Sequence, residues 1–238
     1  MNFRIRGRPF TFRALKNGFA PTEFISMFEG ETNKTRFSDI LGSDGARAMR
    51  VLTWRSLKQP MAMGVFDAQD MLVAIGFATP ITIPAGPMPK RSNCALQDPQ
   101  LGVNLSYAVS SKCEGRGLGQ LVSCLAISAA DSRWPKLRLK LPCPVNIQTK
   151  LENLPSIALA GKLGLKHFSE ADFSITRVDG TKVPYISFRG PWVTAVDTAH
   201  AHLSSMGIEE EVLQERFAAP TNLSNPFDEP EPFTGPSP

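Results

Sequence analysis

One stretch, residues 107–127 (YAVSSKCEGRGLGQLVSCLAI), limits the folds open to this chain more than any other. An alternating strand runs to Val109, Gly115, Gly117 and Gly119 follow, and a helix opens at Gln120. Leu121, Val122, Leu125 and Ala129 fall on one face of that helix. A strand that feeds a glycine turn and then a helix is a general device for holding phosphate. The first-turn amides lack an intrahelical acceptor, and the macrodipole favours negative charge there. Glycines let the backbone approach a ligand, and Arg116 adds a cation inside the turn. Two nucleotide-binding patterns are excluded. A P-loop ends in Gly-Lys-Ser/Thr, whereas this turn ends in Gly119-Gln120-Leu121. A dinucleotide fingerprint starting at Gly115 requires glycine at 120, where Gln120 stands.

The elements around this unit are read from periodicity and punctuation. Residues 3–15 alternate apolar and basic side chains and predict a strand broken near Pro9. Residues 22–28, with Thr22 as N-cap, and 44–58, stopped by Pro60, predict two helices. MAMGVFD and MLVAIGFATPITI flank the short turn AQD, the pattern of a β-hairpin. Residues 84–100 hold four prolines and predict a long loop. LRLKL (137–141) predicts a strand, and NLPSIALAGKLG (153–164) a helix closed by Gly164. Residues 168–177 and 183–189 predict a hairpin around Asp179-Gly180, and 192–217 a helical segment broken at Gly207. The order gives an α/β fold with a mixed, mostly antiparallel sheet flanked by helices.

At this point the chain resembles a known family. YAVSSKCEGRGLG is similar to motif A of the GNAT acetyltransferases, a strand followed by Gln/Arg-x-x-Gly-x-Gly/Ala, with Gly117 and Gly119 as its small residues. NLPSIALAGKLGL is similar to motif B, through Asn153, Ser156, Leu163, Gly164 and Leu165. The resemblance covers roughly residues 61–190. It implies a GNAT acyltransferase fold over 1–190; beyond the resemblance, helical patterning predicts a C-terminal helical extension over 191–218, and six prolines with little to bury predict a disordered, Pro-rich acidic tail over 219–238. The resemblance also implies acetyl-CoA as co-substrate and no metal. The turn of Glu114, Gly115, Arg116, Gly117, Leu118, Gly119 and Gln120 would wrap the pyrophosphate. The backbone of Tyr107 and Val109 would pair with the pantetheine arm, and Asn153 would contribute from the second motif. The implied reaction is N-acetyl transfer by direct attack of a primary amine on the thioester.

Three positions depart from the family pattern. Glu114 replaces the usual Gln or Arg, and residues 101–109 hold no glutamate to serve as base. Ala160 stands where many members carry the tyrosine that protonates the leaving thiolate. Ser156, one turn earlier on the same helix face, and Tyr107 are the candidate catalytic hydroxyls; the competing roles are helix-end capping for Ser156 and packing for Tyr107. Tyr185 and His167 are weaker candidates. His200 and His202 match no metal-site spacing with Cys or carboxylate partners, and Cys113 has no visible base. Loss of the tyrosine and glutamate keeps a second reading open: a weak or inactive GNAT-fold protein acting as a protein-binding module through the C-terminal helix.

Charge narrows the acceptor. The chain carries +4 overall, and residues 219–238 hold Asp228, Glu229 and Glu231 but no Lys or Arg. Setting those three negative charges aside leaves +7 on residues 1–218. Such a body suits an anionic cofactor and an acidic acceptor, such as an aminoacyl-tRNA or an acidic protein surface; a small-molecule amine is the other acceptor class left open. Direct nucleic-acid binding has only that charge behind it. Lys136, Arg138 and Lys140 alternate beside the cofactor motif, toward a cofactor phosphate or toward solvent. Four cysteines without a CxxC pair, no apolar leader and no membrane-length apolar run point to a cytoplasmic protein.

Overall fold

The computed structural model describes residues 2–5, 8–15, 62–84, 99–134, 143–176 and 179–208. The helices expected at 22–28 and 44–58, the strand at 137–141 with its basic run, the interior of the 84–100 loop and the 219–238 tail lie outside the described residues.

One sheet organises the rest. Its strands are β1 (Asn2–Ile5), β2 (Arg8–Ala14), β3 (Ala62–Phe66), β4 (Leu72–Pro84) and β5 (Pro99–Val109). They are followed by β6 (Pro144–Lys150), β7 (Lys166–His167), β8 (Phe173–Thr176) and β9 (Lys182–Pro191). The spatial order is β1-β2-β3-β4-β5-β6-β9-β7, with β8 also paired to β9. Every pairing is antiparallel except β5 with β6, which is parallel. Pro9 lies inside β2, opposite Arg4 of β1, so the strand is not broken at the proline.

Sequence and structure diverge at β6. Its buried Val145, Ile147 and Thr149 alternate with exposed Gln148 and half-buried Lys150, and Pro144 opens the strand. Residues 84, 99 and 100, read as loop, are strand ends, because the β4–β5 ladder runs from Ala74↔Val109 to Pro84↔Pro99. The strand expected at 168–177 is instead a 3-10 turn, Ser169–Ala171, followed by the short β8. The turn at Gly180 is as expected, with φ at +81° and Thr181 N donating to Asp179 Oδ1.

Three described helices pack on this sheet: α1 (Leu118–Arg133), α2 (Leu154–Lys162) and α3 (Trp192–Ser205). α1 packs on β3, β4 and β5 and also on α3, so every residue from Leu121 to Asp131 is buried. β4 comes so close to α1 that a Cβ on Gly76 would stand 2.5 Å from the Val122 carbonyl oxygen. Trp192, Ala195, Val196, Ala199 and Leu203 of α3 join the same core as Phe10, Phe12, Val103, Leu105 and Leu121. Trp192 Nε1 donates to buried Asp131 Oδ1 at 3.3 Å. Leu15, Ala62, Phe66, Leu72, Ile75, Phe77 and Ala108 form a second, smaller core. Alternation along β5 therefore puts Leu105, Tyr107 and Val109 on the α1 face, and Asn104 and Ser106 on the other. Gly207, at φ +72°, closes α3.

Candidate active site

The turn after β5 is built to leave α1 open. Ser111–Cys113 forms a 3-10 turn, Gly115 lies at φ +70°, and Gly117 is the α1 N-cap at φ +80°. That backbone region is costly for any residue with a Cβ, which explains glycine at both positions. Gly117 has no side chain with which to cap α1, so the N-cap position itself places no side-chain oxygen on the first-turn amides. A Cβ on Gly115 or Gly117 would meet nothing within 4 Å. Arg116 donates to the Lys112 carbonyl at 3.1 Å and so braces the turn. Gly119 has a different reason to be small. A Cβ there would lie 3.3 Å from the Tyr107 ring and 3.6 Å from Val109 Cγ2.

The strand feeding this turn parts from its neighbour. β5 and β6 pair only at Val103↔Val145 and Asn104↔Asn146, although β5 continues to Val109 and β6 to Lys150. Two parallel strands that separate after so short a ladder make a wedge, and the open turn stands at the end of β5.

The two candidate hydroxyls meet on the α1 face of β5. Tyr107 Oη donates to Ser156 Oγ at 2.6 Å, linking β5 to the first turn of α2 across 49 residues of sequence. The cap of α2 belongs to Asn153 instead: its side-chain oxygen accepts from Ser156 N at 3.4 Å. Ser156 is thus free of the capping role, and its hydroxyl is buried against a phenol. Lys162 near the end of α2 reaches Gln120 on α1 at 3.4 Å.

On the opposite face a polar chain starts where the strands part. Arg189 Nε donates to Asn146 Oδ1 at 3.3 Å, Asn146 Nδ2 to Asn104 Oδ1 at 3.1 Å, and Asn104 Nδ2 to Ser106 Oγ at 3.2 Å. Asn146 is only 4% exposed. Burial lowers the Arg189 pKa, opposed by nearby Glu170, and the guanidinium lies 4.4 Å over the Phe168 ring.

Comparisons with known proteins place this architecture. No family model matches the sequence, and no curated protein does either. Solved structures do. An acetyltransferase of the GNAT family from Streptococcus pneumoniae aligns with 76% of this chain and 99% of its own, at 13% identity and a TM-score of 0.51. A protein from Acinetobacter baylyi ADP1, provisionally assigned as an acetyltransferase, aligns with 76% of this chain and 92% of its own, at 15% identity and 0.51. The fold is the GNAT fold. A GNAT-superfamily phosphinothricin acetyltransferase from Sinorhizobium meliloti, solved with acetyl-CoA, aligns over 76% of this chain and 88% of its own, at 16% identity and a TM-score of 0.47.

Within the GNAT fold, the residues read from the sequence divide clearly. Tyr107, Val109, the 114–120 turn, Asn153 and Ser156 gather along β5 and the starts of α1 and α2. Ala160 is fully buried in the core and presents only a methyl group. The weaker candidates stand apart. Tyr185 is buried and stacked on Phe173 at 5.1 Å between centroids. His167, on β7, bonds to Asp172 Oδ2 at 2.8 Å. His200 and His202 lie on α3. Cys113 is buried beneath the turn. The sequence reading missed Asn104, Ser106, Asn146 and Arg189. Asn104 and Ser106 were visible as polar residues alternating along β5, but only the β5–β6 register joins them to Asn146.

Proposed function

We propose that this chain is an N-acetyltransferase that holds acetyl-CoA in the wedge between β5 and β6 and acetylates a primary amine. The observation that carries the reading is an uncapped α1 turn standing at the end of a strand whose parallel ladder stops after two pairs. The residues fit such a group. The amides of 114–120 would take the pyrophosphate in the open space over Gly115 and Gly117, and the β5 edge at Tyr107 and Val109 would take the pantetheine arm. Asn153, already spent on α2, would shape the wedge rather than bind through its oxygen. When bound, acetyl-CoA supplies a thioester carbonyl that a neutral amine attacks, giving an amide and a thiol.

The protein's own contribution is a proton held at a defined place. Ser156 Oγ accepts from Tyr107 Oη, so the serine's own proton is directed outside the pair. Ser156 would donate its proton to the leaving sulfur, Tyr107 would replace the proton the serine gives up, and the phenolate would recover one, through solvent, from the nitrogen that has attacked. This two-hydroxyl relay takes over the task of the tyrosine missing at Ala160, and it favours the enzyme over the binding module. The positive body suits an acidic acceptor.

Release of free CoA thiol across a panel of amines and acidic protein acceptors tests the reading. Ser156→Ala and Tyr107→Phe should each lower turnover about tenfold or more, since a positioned acid is worth about 100-fold. The double variant should be little worse than either single one, because both lie on one proton path. If the folded, acetyl-CoA-bound protein releases no thiol above hydrolysis with any acceptor, the enzyme reading falls.

A further inference from the structure

The polar chain at the mouth of the wedge has a direction, and arginine sets it. A guanidinium has N–H donors and no acceptor, so the atom Asn146 turns toward Arg189 Nε must be its oxygen. That leaves the Asn146 amide nitrogen for Asn104, which must accept through Oδ1 and therefore donates onward to Ser106 Oγ. No exchange of oxygen and nitrogen in either side chain preserves the set, so these partners fix the direction of both amides. Every dipole points from the guanidinium to the serine. Ser106 accepts from Asn104, and its own proton meets no acceptor among the described residues. Ser106 is exposed, whereas Asn146 behind it is 4% exposed.

We propose that Arg189, Asn146, Asn104 and Ser106 form a carboxylate subsite for the acceptor amine, with the Ser106 hydroxyl as its terminal donor. The inference rests on the wedge being the site of acyl transfer, and it names the acceptor as an amine that also carries a carboxylate. Aligned hydrogen bonds polarise one another, and a chain anchored on a cation ends in a strengthened donor. Arg189 keeps that cation in partly buried surroundings over Phe168, where solvent screens its field only in part. Glu170 offsets part of the charge. What remains is one strong donor backed by a compensated cation, a match for one singly charged carboxylate rather than for a phosphate. Ser106 and Tyr107 are neighbours on β5 that project to opposite faces, so a group bound at Ser106 lies beside the strand edge that the thioester would follow.

The test uses the full chain, with acetate and acetamide as probes and the side-chain amide NMR signals of Asn104 and Asn146 as readout. Millimolar acetate should shift both signals. Ser106→Ala should weaken the apparent acetate affinity about tenfold or more, the usual scale for a hydrogen bond to a charged group, and Ser106→Thr should restore it. Acetamide should bind about tenfold more weakly than acetate, because it lacks the charge. Absence of any shift, a shift unaltered in Ser106→Ala, or equal binding of acetamide would each overturn the proposal. Should Ser106→Ala fail to fold, the wild-type contrast between acetate and acetamide decides. Titration of acetyl-CoA into the same sample separates the two claims. Acetate binding without acetyl-CoA binding would sink acyl transfer and leave the anion site; the reverse would sink this subsite alone.

Discussion

Gly117 and Gly119 look alike in sequence and do different work, and substituting each by alanine separates them. In an ordinary helix interior, Gly→Ala stabilises by about 0.8–1 kcal/mol. At Gly119 that gain meets a Cβ placed 3.3 Å from Tyr107 Cε2, tighter than comfortable contact. Crowding a packed position costs about 1–3 kcal/mol, and one contact at 3.3 Å belongs at the lower end. The ring cannot swing away freely, because its hydroxyl is held at 2.6 Å by Ser156, a bond worth about 1 kcal/mol net. Gly119→Ala should therefore destabilise slightly or be neutral, instead of stabilising. In a Tyr107→Phe background the ring is unanchored, and the same substitution should recover about 0.5–1 kcal/mol. Gly117→Ala should cost about 1–2 kcal/mol through its φ of +80°, regardless of residue 107. Urea denaturation of wild type, Gly119→Ala, Tyr107→Phe and their double variant measures this cycle, with Gly117→Ala compared in both residue-107 backgrounds. Two results would refute the reasoning: additivity within about 0.3 kcal/mol, or a plain stabilisation by Gly119→Ala.

Two further outcomes follow from the helices. Asn153→Ala removes the α2 cap and should cost about 1 kcal/mol in chemical denaturation; unchanged stability with weakened acetyl-CoA binding would instead make Asn153 a ligand residue. The His202 pKa is lowered by burial and then by Lys162, so the unfolded chain binds the proton more readily. The stability this histidine carries is complete above about pH 6.5 and is lost as pH falls through its folded value; His202→Gln should flatten that acid-side loss in denaturation curves, and an unchanged slope would remove the assignment.

The parts of the fold legible in the sequence are those governed by local rules. The strand–glycine–helix unit, the Asn153 start and Gly164 end of α2, the Asp179-Gly180 turn and the Gly207 stop are each set by a cap or by positive φ. β6 was not legible, because its alternation lies close after the equally alternating LRLKL and opens on Pro144, which reads as a breaker until it is seen as a first strand residue. The pairing of Tyr107 with Ser156 was half legible. Each residue was a candidate alone, but nothing local says that two hydroxyls on different elements meet. The link from Asn104 to Asn146 and Arg189 was hidden for the same reason. These residues become a unit only through the Asn104↔Asn146 and Asn146↔Arg189 registers, which are long-range facts.

Calorimetric titration with acetyl-CoA tests the central claim most directly, using wild type beside Gly117→Glu. Residue 117 has open space around it, so a side chain there should spare the packing while placing a carboxylate against the incoming phosphates. Like charges about 4 Å apart near a surface repel by about 1–4 kcal/mol, which is a loss of about fivefold to several hundredfold in affinity. The account predicts one acetyl-CoA bound per wild-type chain and most of that affinity lost in the folded variant. No binding by the folded wild type, or equal binding by Gly117→Glu, would contradict it.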